Sequence, residues 1–269
     1  KVLVTVSTGV LKANKIQFNP QLPEEKQKAI QQLPMGYMQK VIIDFKDRKG
    51  LLPEEDANSW VLYVDSDPKE KDKRRVMAFV IRPLNKNIAI GFYGGEQAKT
   101  YEDQCKDAAG DQSLPPERQP CDEQAVKRAQ AALGKMYSPA VEDAVETADI
   151  YVTRWGLDPW TLGAYSGASA EFDLLWKWDP YLRAFAKPKE QMSVREQLAR
   201  PLPYREGPHQ VFFAGEACAS PMYNGSLAGA YESGLRSARL MLNEFQLRPT
   251  YGATPALLRS AEPGSPVAH

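Results

Sequence analysis

Near the C-terminal end, an apolar run is followed by a glycine turn and then by a long helical pattern, an order that few folds accommodate. The run VFFA leads into Gly215 and Glu216, and a loop of small residues precedes a helix opening at Gly225, Ser226 and Leu227. The first turn of a helix presents unpaired N–H groups and a positive dipole end, and a glycine there lets a planar ligand approach the backbone. This unit predicts an α/β element that binds a phosphate or carbonyl group. Packing alone is the alternative, because small residues before a helix are common.

Strand and helix patterns follow one another through the rest of the chain. Apolar or alternating runs predict strands at Val2–Val6, Gln39–Phe45, Trp60–Val64, Val76–Ile81, Ile88–Phe92, Ile150–Trp155 and Val211–Ala214. Helical spacing predicts helices at Glu24–Leu33, after Asp122, at Ala140–Thr147 and from Gly225 onward. The last helix carries an apolar stripe formed by Leu227, Ala230, Gly234, Leu235, Ala238 and Leu242. Residues 246–269 are rich in Pro, Ala, Gly and Ser, which predicts an extended or disordered tail.

Charge and hydropathy argue against some classes of partner. The 269 residues contain 34 Lys and Arg and 34 Asp and Glu, so we expect neither nucleic acid nor an anionic membrane as partner. No apolar run approaches the ~20 residues of a membrane helix. No signal peptide is visible, but the sequence begins with KVLVTV and lacks an initiator Met, so a preceding targeting segment stays open.

The cysteines leave two alternatives. Cys105 and Cys121 flank a polar, proline-containing stretch. They are either free thiols in a surface loop or a disulfide that closes this loop. A disulfide would indicate an oxidising compartment and stabilise the fold by ~3 kcal/mol. Neither cysteine has the spacing of a zinc ligand, and no metal site is expected. Cys218 lies in an apolar run and is expected to be a small buried side chain. Nothing places His209 beside a nucleophile, so a hydrolase triad is not supported.

Several segments, in the same order, resemble the flavin-containing amine oxidase family, which includes monoamine and polyamine oxidases, L-amino-acid oxidases and flavin-dependent histone demethylases. The segment VFFAGEACASPMYNGSLAGAYESGLRSA is similar to the family's C-terminal flavin motif, and TRWGLDPWTLGAYS to its Trp-bearing strand beside the flavin. VLVTVSTGVL resembles a strand of the FAD domain, and KIQFNPQLPEEKQKAIQQLPMGYMQKVIIDF resembles the crossing into the substrate domain. The resemblance implies an α/β fold: the C-terminal portion of a Rossmann-like, glutathione-reductase-type FAD-binding domain, plus an α+β substrate domain with a mixed sheet.

The resemblance implies which residues bind the cofactor. Glu216, after Gly215, matches the acidic residue that hydrogen-bonds the ribityl–pyrophosphate region of FAD. Ser226 and Leu227 match the pair at the helix opening that follows Gly225, and the second backbone N–H approaches the pyrimidine carbonyl of the flavin. A helix N-terminus at that point would stabilise an anionic reduced flavin.

The resemblance also implies residues on the substrate side. Lys40 matches the family's active-site lysine, which holds a water near flavin N5. Trp155 matches the tryptophan that packs beside the isoalloxazine, and Tyr165 matches one wall of the aromatic substrate cage, where it could contact a cationic amine. Without the resemblance, Lys40 would be interpreted as a solvated lysine and Trp155 as a core residue.

The sequence departs from some members of the family. Monoamine oxidases carry a flavin-linked cysteine just before the cage tyrosine, and Ala164 occupies that position here, so the resemblance implies non-covalent FAD. Ser226 stands where other members place a second aromatic wall or a Gly-Trp pair. One wall in place of two leaves room for a bulkier or more extended small-molecule amine as substrate.

The largest departure is that no G-x-G-x-x-G dinucleotide motif occurs in the sequence. We therefore expect a processed chain or a fragment that needs a missing N-terminal FAD-binding half, from the same precursor or as a partner chain. Residues 1–37 and 171–245 are predicted to form a partial FAD-binding domain, and residues 38–170 a substrate-binding domain. Homo-oligomerisation stays open.

The activity that the resemblance implies is oxidation of the carbon–nitrogen bond of an amine to an imine, with O2 reduced to H2O2. One alternative is an L-amino-acid oxidase, although no residue for the substrate carboxylate is identifiable. A second alternative is a non-catalytic subunit that retains the fold. A disulfide between Cys105 and Cys121 would indicate a periplasmic or secreted protein, and free thiols a cytoplasmic one.

Overall fold

A computed structural model of the chain describes residues 1–46, 48, 50–65, 75–167, 193–203, 209–220 and 222–246. The strands are β1 (Val2–Val4), β2 (Met35–Gly36), β3 (Met38–Asp44), β4 (Ser59–Asp65), β5 (Arg75–Ile81), β6 (Ile88–Gly94), β7 (Asp149–Val152), β8 (Tyr165–Ser166), β9 (Leu202–Pro203) and β10 (His209–Phe213). The α-helices are α1 (Thr8–Lys12), α2 (Glu24–Gln31), α3 (Gly95–Asp103), α4 (Lys106–Ala109), α5 (Glu123–Met136), α6 (Pro139–Val145), α7 (Val194–Ala199) and α8 (Leu227–Gln246).

Five strands form the largest sheet, in the order β4-β5-β6-β3-β7. Every neighbouring pair in it is antiparallel, and Lys40 on β3 lies opposite Phe92 on β6. Residues alternate along β3, so that Val41 and Ile43 are buried on one face while Lys40 and Ile42 point to the other. The strands that were predicted from the sequence are all found, each within a few residues of its expected bounds.

The buried face of this sheet packs against α3, α5 and α6. Helix α5 turns the apolar face predicted for it toward the strands, because three- and four-residue spacing places its apolar side chains on one side. Fully burying one large apolar side chain stabilises the fold by about 1.5–3 kcal/mol. The core of this unit includes Val41, Ile43, Phe45, Phe79, Ile81, Tyr93, Ala125, Val126, Ala129, Leu133, Val141 and Val145.

The opposite face of the five-stranded sheet remains apolar at its β4–β5 end. Trp60 is 67% exposed and stacks on Phe92, with 5.0 Å between the ring centroids. The other large apolar side chains exposed on these two strands are Leu62, Val64 and Val76.

The first and last parts of the chain form a second, smaller core. In its sheet, β1 pairs in parallel with β10, and β10 pairs antiparallel with β9, so this sheet is mixed. Lys26 of α2 is buried here; its ammonium donates to the carbonyls of Gln197, Leu198 and Arg200 at the end of α7. Helices α1, α2 and α7 contribute to this core, which includes Val4, Leu11, Ala29, Ile30, Leu33, Leu198, Phe213 and Cys218.

Helix α8 turns small residues, and not its leucines, toward the smaller sheet. The Ser233 hydroxyl accepts the N–H of Gly215 and donates to its carbonyl, at 2.9 and 2.8 Å, and the Ser237 hydroxyl donates to the carbonyl of Phe213. Both serines are buried, whereas the leucines of the predicted stripe are exposed, with Leu227 at 87%. The stripe is thus a surface of this chain.

Cys105 and Cys121 form a disulfide, which decides between the two alternatives. It closes a strap that runs along the edge of β7: the N–H of Arg118 donates to the Ile150 carbonyl, and the N–H of Val152 to the Pro116 carbonyl. Cys218 is a buried free thiol, as expected.

Among the described residues, no helix is both long and apolar enough to span a bilayer. Helices α1, α3, α4 and α7 are found without having been predicted. The predicted tail lies outside the described residues apart from Gln246, where α8 ends. Residues 168–192 also lie outside them, so the predicted boundary between residues 170 and 171 stays a prediction.

Candidate active site

Tyr165 brings two parts of the predicted site together. It pairs with Gly36 in the two-stranded β2–β8 ribbon. A Cβ on Gly36 would lie 3.1 Å from Cε2 of the Tyr165 ring, and a Cβ on Gly225 would lie 3.6 Å from Cδ2. Gly225 has a φ of 66°, a left-handed conformation that favours glycine. The aromatic wall and the opening of α8 are therefore in contact.

Glu216 ties this tyrosine ribbon to the same helix opening. Its carboxylate accepts the Ser166 N–H and the Ser166 hydroxyl, each at 2.8 Å, and the Gly225 N–H at 3.0 Å. The guanidinium of the buried Arg195 donates to the Ser166 hydroxyl at 2.7 Å and lies 4.0 Å from the Glu216 carboxylate. Because a carboxylate offers about four lone-pair sites, Glu216 retains one for a ligand hydroxyl.

The N-terminus of α8 carries donors without an internal partner. The Ser226 hydroxyl accepts the Gly229 N–H at 3.1 Å and donates to the Tyr223 carbonyl at 2.6 Å. The N–H groups of Leu227 and Ala228 have no hydrogen-bond partner within the described part of the chain. Such groups, at the positive end of a 20-residue helix, favour an anionic or carbonyl-bearing ligand.

Gly215 adopts a φ of 118°, again a conformation that suits glycine. The hydroxyl of Ser233 bonds both its N–H and its carbonyl, which fixes the turn between β10 and Glu216.

Lys40 occupies the uncovered face of the five-stranded sheet and is half-buried. Its N–H donates to the Thr153 hydroxyl at 2.8 Å, and its carbonyl accepts the Thr153 N–H at 3.0 Å. The ammonium lies 5.4 Å from the centroid of the Phe92 ring, a cation–π distance. No carboxylate forms an ion pair with Lys40 in the described ranges. The donors of the Lys40 ammonium are therefore available for a water.

Trp155 lies in the loop that follows β7, and 37% of its surface is exposed. Its carbonyl accepts the Gly163 N–H and the Thr161 hydroxyl, each at 2.8 Å. The Thr161 carbonyl in turn accepts the hydroxyl of Ser7, the N-cap of α1. The tryptophan loop is therefore attached to the smaller core as well as to β7.

Hydrogen bonds and short stretches of backbone together connect the predicted residues, although Lys40 makes no direct hydrogen bond to the opening of α8 among the residues described. The hydrogen bonds join Lys40 to Thr153, Trp155 to Gly163, and Ser166 and Gly225 to Glu216, and backbone joins Thr153 to Trp155 and Gly163 to Ser166.

The donor set fits the reacting end of a flavin. Free N–H groups at Leu227 and Ala228 suit ring carbonyls, Gly225 allows a flat ring to approach, and the half-exposed Trp155 offers an apolar surface. Among the described residues, Cys105, Cys121 and Asp122 form a group of potential metal ligands, but they are a disulfide and a carboxylate that pairs with Arg154, so this group does not suit a metal ion.

Some residues of the site gave no signal in the sequence. Ser166 and Thr153 are single hydroxyls without a motif, and Arg195 falls in a segment whose pattern favours no element. Glu102 lies in the charged run GEQAKTYED, which is typical of a solvated surface, yet its side chain is buried.

Comparison with known proteins decides the family. The profile of the family described as "Flavin containing amine oxidoreductase" matches residues 1–103 and 107–242. The chain belongs to this family. The resemblance inferred from the sequence is thereby confirmed, and with it a family whose members contain a flavin.

Relatives come from plants and animals. The chain is 30% identical over 236 residues to polyamine oxidase 4 of Oryza sativa subsp. japonica, covering 88% of this chain and 38% of the relative. It is 29% identical over 248 residues to polyamine oxidase 1 of Zea mays, covering 90% and 39%. It is 28% identical over 238 residues to human lysine-specific histone demethylase 2, covering 88% and 24%. The chain thus spans two fifths or less of these relatives.

Two solved structures confirm the fold class. Cyclohexylamine oxidase from Brevibacterium oxydans superposes with a TM-score of 0.50 at 20% identity, over 91% of this chain and 43% of that one. A putrescine oxidase redesigned in its cofactor binding superposes with a TM-score of 0.51 at 16% identity, with the same coverage.

Proposed function

We propose that this chain forms the reacting side of an FAD-dependent amine oxidase that holds its cofactor non-covalently. The observation that best supports this is the contact of Tyr165 with Gly225 at the opening of α8, beside the carboxylate of Glu216. The cluster combines free backbone donors with an aromatic wall. Ala164, which precedes Tyr165, provides no thiol for a covalent flavin bond.

Bound FAD would supply the redox chemistry: it would accept two electrons and two protons from the amine, which becomes an imine, and would pass them on to O2, which becomes H2O2. The chain's own residues hold and orient the reactants. Glu216 and the N–H groups of Leu227 and Ala228 would hold the cofactor, and Trp155 would limit the position of its ring system. The ammonium of Lys40 would hold a water for imine hydrolysis or for the oxygen half-reaction. The Tyr165 ring would face the amine.

Lys40→Met tests this role in the flavin-loaded protein that contains this chain. Because methionine cannot hold a water by charged N–H groups, we expect a slower oxidative half-reaction by at least about tenfold, the effect of losing ~1.4 kcal/mol. Stopped-flow reoxidation of the reduced flavin measures it. Lys86→Met, at an exposed lysine, is the matched control. An unchanged reoxidation rate in Lys40→Met would remove Lys40 from the mechanism.

The substrate we propose is a small-molecule amine that is extended or bulky, because Ser226 replaces a second aromatic wall. An L-amino-acid oxidase would need a cation for the substrate carboxylate. The buried arginines of the described residues are already bonded, Arg154 to Asp122 and Arg195 to Ser166. Peroxide release with simple amines should therefore exceed that with L-amino acids; the reverse order would replace this proposal by the alternative.

A non-catalytic subunit is the remaining alternative. The presence together of Lys40, Trp155, Tyr165 and Glu216 argues against it, since a scaffold has no need of all four. A completed protein that contains no flavin would favour it.

The partner we propose is an N-terminal FAD-binding half. Apolar side chains on three surfaces of this chain are exposed, more than a monomer usually tolerates. They are Val2, Leu3, Trp60, Leu62, Val64, Val76, Leu227, Tyr231 and Leu235. In gel filtration the chain alone should lose added FAD, and together with that half it should retain it. Stoichiometric FAD on the chain alone would contradict the proposal.

We propose an oxidising compartment, periplasmic or extracellular, because Cys105 and Cys121 are joined. Alkylation of the denatured protein from its native source, without reductant, should modify Cys218 alone. Three modified thiols would indicate a reducing compartment instead.

A further inference from the structure

Glu102 is a buried carboxyl group behind the tryptophan loop. It lies on α3, 1% of its surface is exposed, and its Oε2 accepts the Gly156 N–H at 2.9 Å. Its Oε1 has no hydrogen-bond partner among the described residues. An acidic side chain is costly to bury unless its position is used, because desolvation opposes its charge.

The fit between Glu102 and Gly156 leaves no space for another side chain. A Cβ on Gly156 would lie 2.1 Å from Oε2 of Glu102 and 3.1 Å from Cε1 of Tyr37. The carboxylate therefore takes the place that a side chain at position 156 would occupy, and it bonds the backbone there directly.

This bond completes the fixation of one peptide unit. The Trp155 carbonyl and the Gly156 N–H belong to the same planar peptide. The carbonyl accepts the Gly163 N–H and the Thr161 hydroxyl, and the N–H donates to Glu102. Rotation of this peptide would break all three bonds. The partly exposed Trp155 indole extends from the Cα that is bonded to this peptide, so the orientation of the peptide bears on the direction of the indole.

Charged groups around Glu102 act in opposite directions. Burial first, and to a smaller extent Asp103 on the same helix, raise the pKa of Glu102 to a net value of about 7. The Gly156 N–H and Arg154, which pairs with Asp122, lower it. Either protonation state keeps an oxygen that can accept the Gly156 N–H.

We propose that Glu102 is a positioning residue that sets the direction of the Trp155 indole by holding the Trp155–Gly156 peptide. The inference rests on the proposed function, in which Trp155 packs beside the flavin. Glu102 itself touches neither substrate nor cofactor and acts through Gly156.

Three variants test the inference. Glu102→Ala removes the acceptor, Glu102→Gln keeps an amide oxygen in its place, and Glu96→Ala is a control on the exposed side of the same helix. Hydrogen exchange of the Gly156 amide is measured in each full chain. Visible circular dichroism of the flavin is measured in the flavin-loaded protein, together with kcat and KM.

In Glu102→Ala we expect Gly156 exchange to accelerate about tenfold, since one hydrogen bond contributes about 0.5–1.5 kcal/mol. The flavin dichroism should change and kcat fall with a smaller change in KM. Glu102→Gln should restore the Gly156 exchange rate, the flavin dichroism and kcat, a recovery that loss of stability alone would not explain. Glu96→Ala should match the parent protein in the same measurements.

Two results would overturn the inference: unchanged Gly156 exchange in Glu102→Ala, or accelerated exchange with unchanged flavin dichroism. A parent protein that binds no flavin is a different failure, because it removes the proposed function before any variant is compared.

Discussion

The two cores of this chain differ in what borders them. Both contain fully buried side chains, Val41 and Phe79 in the five-stranded unit and Ala29 and Leu33 in the smaller one. The larger core is closed by helices of this chain. The smaller one is bordered by the exposed side of α8 and by the exposed residues of β1.

This difference bears on the proposed N-terminal partner. The sheet that carries Lys40 has its own hydrophobic core, whereas the helix that opens beside Gly225 exposes apolar side chains. Under the proposed function, the partner would complete a flavin site built on the second unit.

The largest expected effect tests the closed core. Phe79→Ala deletes a fully buried ring, and we expect a loss of about 3–5 kcal/mol in the free energy of unfolding. Phe213→Ala, in the smaller core, should cost less in the chain alone, because that core contains fewer buried apolar side chains. Urea denaturation of both variants measures the two losses. Equal losses would show that the two cores are not different in kind.

A middle-sized effect is expected at Lys26. Its ammonium donates to three carbonyls, and burial lowers its pKa to about 7. Lys26→Met leaves those acceptors without a donor and should cost about 1–3 kcal/mol. Lys28 is exposed on the same helix, so Lys28→Met should not cause a comparable loss in the free energy of unfolding.

Lys26 also gives the smaller unit a pH dependence. Between pH 7 and the usual lysine pKa of 10.5, the unfolded chain binds this proton and the folded chain releases it. Stability contributed by this site therefore rises with pH across that window. Urea midpoints measured from pH 7 to 10 should rise in the parent chain and rise less in Lys26→Met. Parallel profiles would mean that the three carbonyls keep the ammonium charged.

The smallest effect on stability is expected on the exposed side of α8. Tyr231→Ser should change the free energy of unfolding of the chain alone by no more than about 0.5 kcal/mol, because the ring is exposed. Association with an N-terminal half should weaken, as measured by FAD retention in gel filtration. A large loss of stability in the chain alone would mean that this helix face is already covered.

Local patterns predicted most of the fold. Alternation along Gln39–Phe45 and Ile88–Phe92 yielded strands found within a few residues, and spacing yielded the buried face of α5. These predictions succeed because the spacing of apolar residues along the chain matches the face that is buried in the core. Helix α3 was missed because its polar sequence resembles a surface loop.

The candidate site was predicted through the resemblance and not through spacing. Lys40 comes from a segment far from the one that contains Trp155 and Tyr165, and no local pattern brings the lysine to that segment. On α8 the same reasoning is misleading, because an apolar stripe usually faces the core and here the buried positions are Ser233 and Ser237. Which face of a helix is buried depends on the elements that pack against it, and the spacing of residues within the helix carries no information about those elements.

The strap closed by Cys105 and Cys121 has a consequence for solubility. A sheet edge is a template for another chain's strand, and this strap occupies the edge at β7 by pairing with Ile150 and Val152. The other edge is β4, which carries Trp60 and Leu62, and no described segment pairs with it on its outer side. Self-association through added strands would therefore begin at β4 in the oxidised chain. Reduction of the disulfide would loosen the strap that covers the β7 edge.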